Sequence, residues 1–226
     1  MTVAIFLEVQ DLDKEKIIRR ILIYVAGLFT LANGAALTIN SDLGVSPIVS
    51  LPLVVSEIIG VNIGTVTSGI FIFLILLQII VLRKNFKWHN LTQIIFSVIF
   101  GYFKDFAIFL QGGFQLPTYI GRLAMMGLGF VLISLGIVIF MEAKLVPLPV
   151  EGLADALAQV AEGKFHVYKM IVDTAFVVLA IALALLFLRK IIGIREGTLI
   201  GMLLVGRLIP PLRNISLPLI RRIYSL

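Results

Sequence analysis

The sequence predicts an all-α membrane protein. The expected architecture is a polytopic bundle of about six transmembrane helices plus two short, proline-led re-entrant half-helices, built as an internal repeat. Three observations predict it. Hydrophobic residues make up 60% of the 226, charged residues only 14%, and mean hydropathy is +1.09; a water-soluble domain is about half apolar and about a quarter charged. The apolar residues fall in runs of about 20, the length of helix that crosses a bilayer core. Two proline-interrupted segments sit at corresponding places in the two halves of the chain. This composition excludes a disordered chain, a nucleic-acid-binding protein and a disulfide-stapled secreted fold. With no cysteine, disulfides, thiol catalysis and cysteine metal sites are excluded too. The net charge of +6 reads as cytoplasmic loops facing anionic lipid.

The chain opens with residues 1–16, where Val3–Leu7 is too short for a signal peptide and runs into mixed charges without a cleavage site. They are expected to form a cytoplasmic arm. The first span is read at about 17–40, entered through Arg19 and Arg20. The segment VSPIVSLPLVVSEIIG at 45–60 is too short and interrupted for a span. Ser46 and Pro47 fit an N-cap and first helical residue, and Gly60 a C-cap. Further spans are read at 63–82, at 91–111 with Lys104 and Asp105 inside, and at 119–141. A second short segment follows at 146–163, opened by Pro149, and a fifth span at 166–188 carries Lys169 and Asp173. The sixth starts near Thr198; it crosses only if it continues past Pro210–Pro211 toward Ile220, and otherwise ends or kinks there.

At an offset of 102 positions, Gly27 falls on Gly129, Gly34 on Gly136 and Pro47 on Pro149; near 106, Leu82-Arg83-Lys84 falls on Leu188-Arg189-Lys190. The domain reading is therefore one membrane unit of two repeats, 17–111 and 119–215, with a basic tail at 216–226. If neither short helix crosses, each half has three crossings and the halves run in opposite orientations, the inverted plan of many secondary transporters. Charge supports a cytoplasmic N-terminus: Lys14, Lys16, Arg19, Arg20, Arg83, Lys84, Lys87, Lys144, Lys164, Arg213, Arg221 and Arg222 then lie inside, against Arg122, Arg189, Lys190 and Arg195 outside. The last three are on the unfavoured side, and a crossing second short helix would only exchange them for the C-terminal arginines.

Leu43-Gly44-Val45-Ser46-Pro47 resembles the "LG-x-(S/A)-P" that precedes a short helix in the YczE/YyaS/YitT family of bacterial membrane proteins. Gly60-Val61-Asn62-Ile63-Gly64-Thr65 is similar to its "G-x-S-x-G" entry to the next span, with Asn62 for the serine. Pro147-Leu148-Pro149-Val150-Glu151-Gly152-Leu153 is similar to "G-P-x-D-G-L", with Leu148 at a position usually small and Glu151 for the aspartate. Gly197-Thr198 matches the "G-T" of the last span. The resemblance covers about residues 20–215 and implies a multi-pass protein of the bacterial cytoplasmic membrane with a transporter-like role, but no substrate.

A half-helix inside a bilayer leaves N–H groups at its start that lipid cannot satisfy, and their partial charge suits an anion or carbonyl oxygen. Leu43–Ser46 and Val146–Leu148 thus either border a ligand cavity or are satisfied by neighbouring helices. Asn33 and Asn40 share a face of the first span; Asn33 reads as interhelical glue, whereas Asn40 and Asp42 border the first short helix. Glu151 and Asp155, four apart, can bind a cation or relay protons, or lie in cytoplasmic water. Charges at bilayer depth cost ~2.5–3.5 kcal/mol, so Lys104, Asp105, Asp173 and Arg207 need a cavity or partners. Lys169 and Asp173 can pair at i,i+4, and Lys104 and Arg207 hold nearly corresponding positions in the two halves. The expected substrate-binding set is Asn40, Asp42, Ser46, Pro47, Lys104, Pro149, Glu151, Asp155 and Arg207, around a cavity between the two short helices.

No phosphate loop, HExxH or nucleophile–base pair is evident, and the two histidines, His89 and His166, lie at span ends. No enzyme activity, cofactor or metal is expected. The expected partners are the lipid bilayer and one unidentified small-molecule solute, without nucleic acid, and a homodimer is left open. The expected function is a secondary transporter or permease; the alternative is a non-transporting membrane scaffold for an enzyme complex.

Overall fold

The computed structural model describes residues 14–61 and 63–225, and side chains within 17–220. The expected arm at 1–16 thus lies outside the described residues except for the backbone of Lys14–Lys16, where the first helix begins, and Asn62 of the quoted motif lies outside them as well. Among the described residues there is no strand. The helices are α1 (Lys14–Asn40), α2 (Pro47–Ile59), α3 (Ile63–Leu82), α4 (Gln93–Gln111), α5 (Tyr119–Glu142), α6 (Pro149–Val160), α7 (Phe165–Leu183) and α8 (Glu196–Ser225). Two 3₁₀ turns, Arg83–Asn85 and Trp88–Thr92, join α3 to α4, and a π turn, Ala184–Leu188, extends α7. Six helices are long and apolar enough to cross a membrane, at 17–40, 63–85, 88–111, 119–142, 165–188 and 196–220.

Local chemistry sets the short helices. Proline supplies the helical φ at a position whose N–H has no helical partner, and both α2 and α6 begin on one. Ser46 and Leu148 precede them in extended conformation, and neither caps with its side chain. Gly60, at φ 67°, ends α2 with its N–H on the Ser56 carbonyl. Helix α8 takes the longer of the two courses open to the sixth run: it passes through Pro210, Pro211 and Pro218 and reaches Ser225, so residues 216–225 of the expected tail at 216–226 continue the helix.

The core is the antiparallel pair α1/α5, which approaches through glycines. A Cβ on Gly136 would lie 2.5 Å from the Leu31 nitrogen, and one on Gly34 would lie 2.7 Å from the Gly129 carbonyl oxygen. Gly27 faces Phe140 and Gly136, while Gly129 faces Gly34 and Thr38. Small residues let helix backbones come close enough for dispersion to hold them in lipid, where no hydrophobic force acts between helices. Leu28, Ile133, Ile137 and Phe140 fill this seam and α8 covers α5 with Val205 and Ile209. Helix α2 packs on α7 and α6 on α3. Helix α4 leans on α1 and leaves Ile95, Val98, Tyr102, Phe106 and Phe109 exposed, an apolar face suited to lipid.

The loops leading into the short helices are pinned from a distance. Before α2, Thr198 Oγ1 donates to the Val45 carbonyl at 2.6 Å, the Gly197 N–H donates to Leu43, and the Val45 N–H donates to Gly193. Gly44 sits at φ 110°, and a side chain there would meet the Arg195 backbone. Before α6, the Tyr24 hydroxyl donates to the Val146 carbonyl at 2.6 Å, with its ring edge-on to Phe96 and Phe140.

Candidate functional site

The openings of α2 and α6 border one cavity of about 480 Å³. Ser46, Pro47 and Ile48 line it from α2 and its lead-in, and Leu148, Val150 and Glu151 from α6. Polar groups reach it from α3 (Thr67, Ser68), α4 (Ser97, Lys104, Asp105) and α7 (Lys169, Asp173); most of the remaining wall is apolar.

Its chemical centre is a fully buried triad. Lys169 and Asp173, one turn apart on α7, make a charge-assisted hydrogen bond from Nζ to Oδ1. Glu151 comes in from α6, with Oε1 3.6 Å from Nζ. The three side chains are only 1–2% exposed. Glu151 Oε1 accepts no hydrogen bond, since 3.6 Å lies beyond hydrogen-bond length. Two carboxylates therefore share one ammonium in a place where an unpaired charge is expensive.

Beside the triad, Gln78 of α3 and Gln93 of α4 join in a reciprocal amide pair. Gln78 Nε2 donates to Gln93 Oε1 at 3.1 Å, and Gln93 Nε2 donates to Gln78 Oε1 at 2.9 Å. The second Gln78 proton goes to the Pro149 carbonyl at 3.0 Å, which fixes the first turn of α6. A Cβ at position 152 would lie 2.8 Å from Gln78 Oε1 and 3.0 Å from Gln93 Oε1, so a side chain there displaces the amide pair.

The residues singled out in the sequence separate into groups. Ser46, Pro47, Lys104 and Glu151 line the cavity, whereas Pro149 does not, its carbonyl accepting from Gln78. Asn40 is buried and donates to Gln111 Oε1 at 3.0 Å, tying α1 to α4. Asn33 bonds its own helix at the Phe29 carbonyl instead of reaching across, while its backbone oxygen accepts from Gln111. Asp42, at φ 53°, is exposed and pairs with Arg122 at 3.2 Å and Arg195 at 4.0 Å. Asp155 turns into a second cavity of about 440 Å³ with Lys144, Lys164, His166 and Arg213, and accepts from Gln159. Desolvation pushes the Asp155 carboxyl above its usual range, opposed by that hydrogen bond. Arg207 is exposed on α8 and does not line the cavity that Lys104 reaches. Asn40, Asp42, Pro149, Asp155 and Arg207 are therefore not among the residues lining the cavity between the short helices. Sequence reasoning missed Gln78 and Gln93 and left Lys169 and Asp173 out of the binding set; buried amides and a charged i,i+4 pair inside apolar spans were the available signals. Among the described residues no group of three or more His, Asp or Glu is placed to hold a metal.

Residues 18–213 match a family model described as "Family of unknown function (DUF6198)". A protein of Bacillus subtilis (strain 168), described as "Uncharacterized protein YyaS", is 29% identical over 200 residues, covering 88% of this chain and 92% of that protein. No solved structure matches. The chain belongs to the DUF6198 family, and its likeness to YyaS extends over most of its length.

Proposed function

We propose that this family member is a secondary transporter or permease of a small solute, bound in the cavity between the openings of α2 and α6. The observation that carries the reading is the Glu151–Lys169–Asp173 triad, fully buried yet facing a cavity. Buried charges in a membrane bundle ordinarily mark a solute or ion path, and a membrane scaffold needs neither the cavity nor the triad.

The packing supports an inverted repeat. Gly27 meets Gly136 and Gly34 meets Gly129, so each glycine of one half faces the counterpart of the other glycine, as a two-fold across an antiparallel pair requires. The contacts of α2 with α7 and of α6 with α3 are likewise exchanged by the repeat. With a re-entrant α2, two crossings, α3 and α4, lie between α1 and α5, which agrees with their antiparallel contact. Arg122 and Arg195 both pair with Asp42, which softens the charge imbalance of the layout with the N-terminus in the cytoplasm.

The experiment is native mass spectrometry of the purified protein against a small-metabolite library, followed by uptake of any retained solute into proteoliposomes. Gly101 lines the cavity and a Cβ there meets nothing within 4 Å, so Gly101→Leu fills the space from one wall. A solute retained and transported by the wild type, and lost with Gly101→Leu, supports the reading. Retention without uptake, or no retention at all, favours the scaffold. For topology, cysteines at the exposed positions Glu57 and Ala161 should label from outside and from inside respectively. Labelling of both from one face rejects the inverted plan.

A further inference from the structure

We infer that the cavity takes a small organic cation, a protonated amine on an apolar body, whose N–H donates to Glu151 Oε1. The inference rests on the proposed binding cavity and deepens it by naming the ligand's chemistry.

Charge comes first. With both carboxyls ionised, Glu151 and Asp173 set two negative charges against the single positive charge of Lys169. Lys104 and Asp105, adjacent on α4 at the same cavity, cancel. The lining is thus one positive charge short, and the deficit lies at the most buried point. Hydrogen bonding gives the same direction. Lys169 Nζ hydrogen-bonds Asp173 and stands 3.6 Å from Glu151 Oε1, so that oxygen, on a residue 1% exposed, is a buried acceptor without a hydrogen bond. A buried acceptor left unmade costs about as much as a lost hydrogen bond, and more when charged. A ligand ammonium supplies the missing charge and the missing donor together. An anion would supply neither and would add a third negative charge.

Shape narrows the ligand. The cavity holds about 480 Å³, within the ordinary range for small-molecule sites. Away from the triad its walls include Ile48, Val49, Phe71 and Phe100, which favour a hydrocarbon or aromatic body over a bare metal ion or a sugar.

The test uses three probes of matched size and different charge: phenethylammonium, neutral 2-phenylethanol and anionic 3-phenylpropionate. Thermal unfolding of the detergent-purified protein is recorded against the concentration of each. The cation should raise the unfolding temperature, with the alcohol and carboxylate at least about thirtyfold weaker, as expected when a buried charge pair loses one partner. Glu151→Gln should remove the preference for the cation. Gly101→Leu leaves the triad intact and should remove the cation's effect altogether, so the test stands even if Glu151→Gln does not fold. Equal binding of alcohol and cation, with Glu151→Gln behaving as wild type, would mean that Glu151 merely carries a proton, and overturns the inference. Tighter binding of the anion overturns it too. In either case loss of the signal in Gly101→Leu would leave the binding cavity standing. Binding by no probe, or binding that Gly101→Leu does not alter, removes both the inference and the cavity reading beneath it.

Discussion

Replacing Gly136 by alanine tests the closest approach in the fold. The added methyl would lie 2.5 Å from the Leu31 nitrogen and 2.8 Å from both the Gly27 carbonyl oxygen and the Leu31 Cα. All three atoms belong to the backbone of α1, so no rotamer change relieves the clash. Ordinary contact needs the helices to part by about 1 Å, and a gap of that size forfeits about a quarter to a half of each dispersion well along the seam. Overpacking of this kind costs about 1–3 kcal/mol, against about 1 kcal/mol gained from alanine's better helix propensity. Gly127 is the control: it lies on the same helix, and a Cβ there meets nothing within 4 Å. Gly127→Ala should be neutral or stabilising by up to about 1 kcal/mol, while Gly136→Ala loses about 1 kcal/mol net, measured by reversible detergent-induced unfolding followed by circular dichroism. Gly27→Ala, which meets the Phe140 backbone at 2.5 Å, should behave similarly. The double variant should lose less than the sum, because helices already forced apart accept the second methyl at lower cost. If Gly136→Ala matches Gly127→Ala, the glycine seam does not hold α1 to α5.

Gly152→Ala pushes a methyl into the Gln78–Gln93 amide pair and should destabilise by about 1–3 kcal/mol, the cost of leaving buried amide groups unpaired; the same unfolding assay reads it. Lys169→Met leaves Glu151 and Asp173 without their shared cation and should cost about 3–5 kcal/mol at neutral pH. Adding Glu151→Gln and Asp173→Asn to that variant should recover most of the loss, and no recovery would show that the triad's charges are not what couples these residues. Asp42→Asn breaks exposed ion pairs to Arg122 and Arg195 at a residue whose positive φ asparagine tolerates. It should cost no more than about 1 kcal/mol and leave binding of the ammonium probe unchanged, in contrast with the binding role that its sequence position suggested.

Much of the fold is legible without coordinates, because it depends on local quantities. A run of about 20 apolar residues specifies a span by length alone. The second run, 63–82, coincides with α3, and the others agree with their helices to within a few residues at each end. Pro47 and Pro149 mark helix starts because proline has no N–H to lose there. The Lys169–Asp173 pair follows from the i,i+4 spacing. The site is less legible. Glu151 and Asp155 share a helical face by the same rule, yet they serve different cavities, since four residues also advance about 6 Å along the axis and α6 is short enough for that distance to separate them. Likewise the sequence places Lys104 and Arg207 at matching positions, but α4 turns Lys104 into the cavity while α8 leaves Arg207 exposed. The sequence by itself determined that the chain is a helical membrane protein, where its spans and short helices begin, and which charges are neighbours on one helix. Only the tertiary structure decided that Glu151 of α6 meets Lys169 of α7, that Gln78 finds Gln93, and that Asp42 closes a loop. Periodicity fixes which residues share a face, whereas the pairing of faces is a long-range choice made by packing, here by glycines that bring α1 and α5 together and so fix what every other helix can reach.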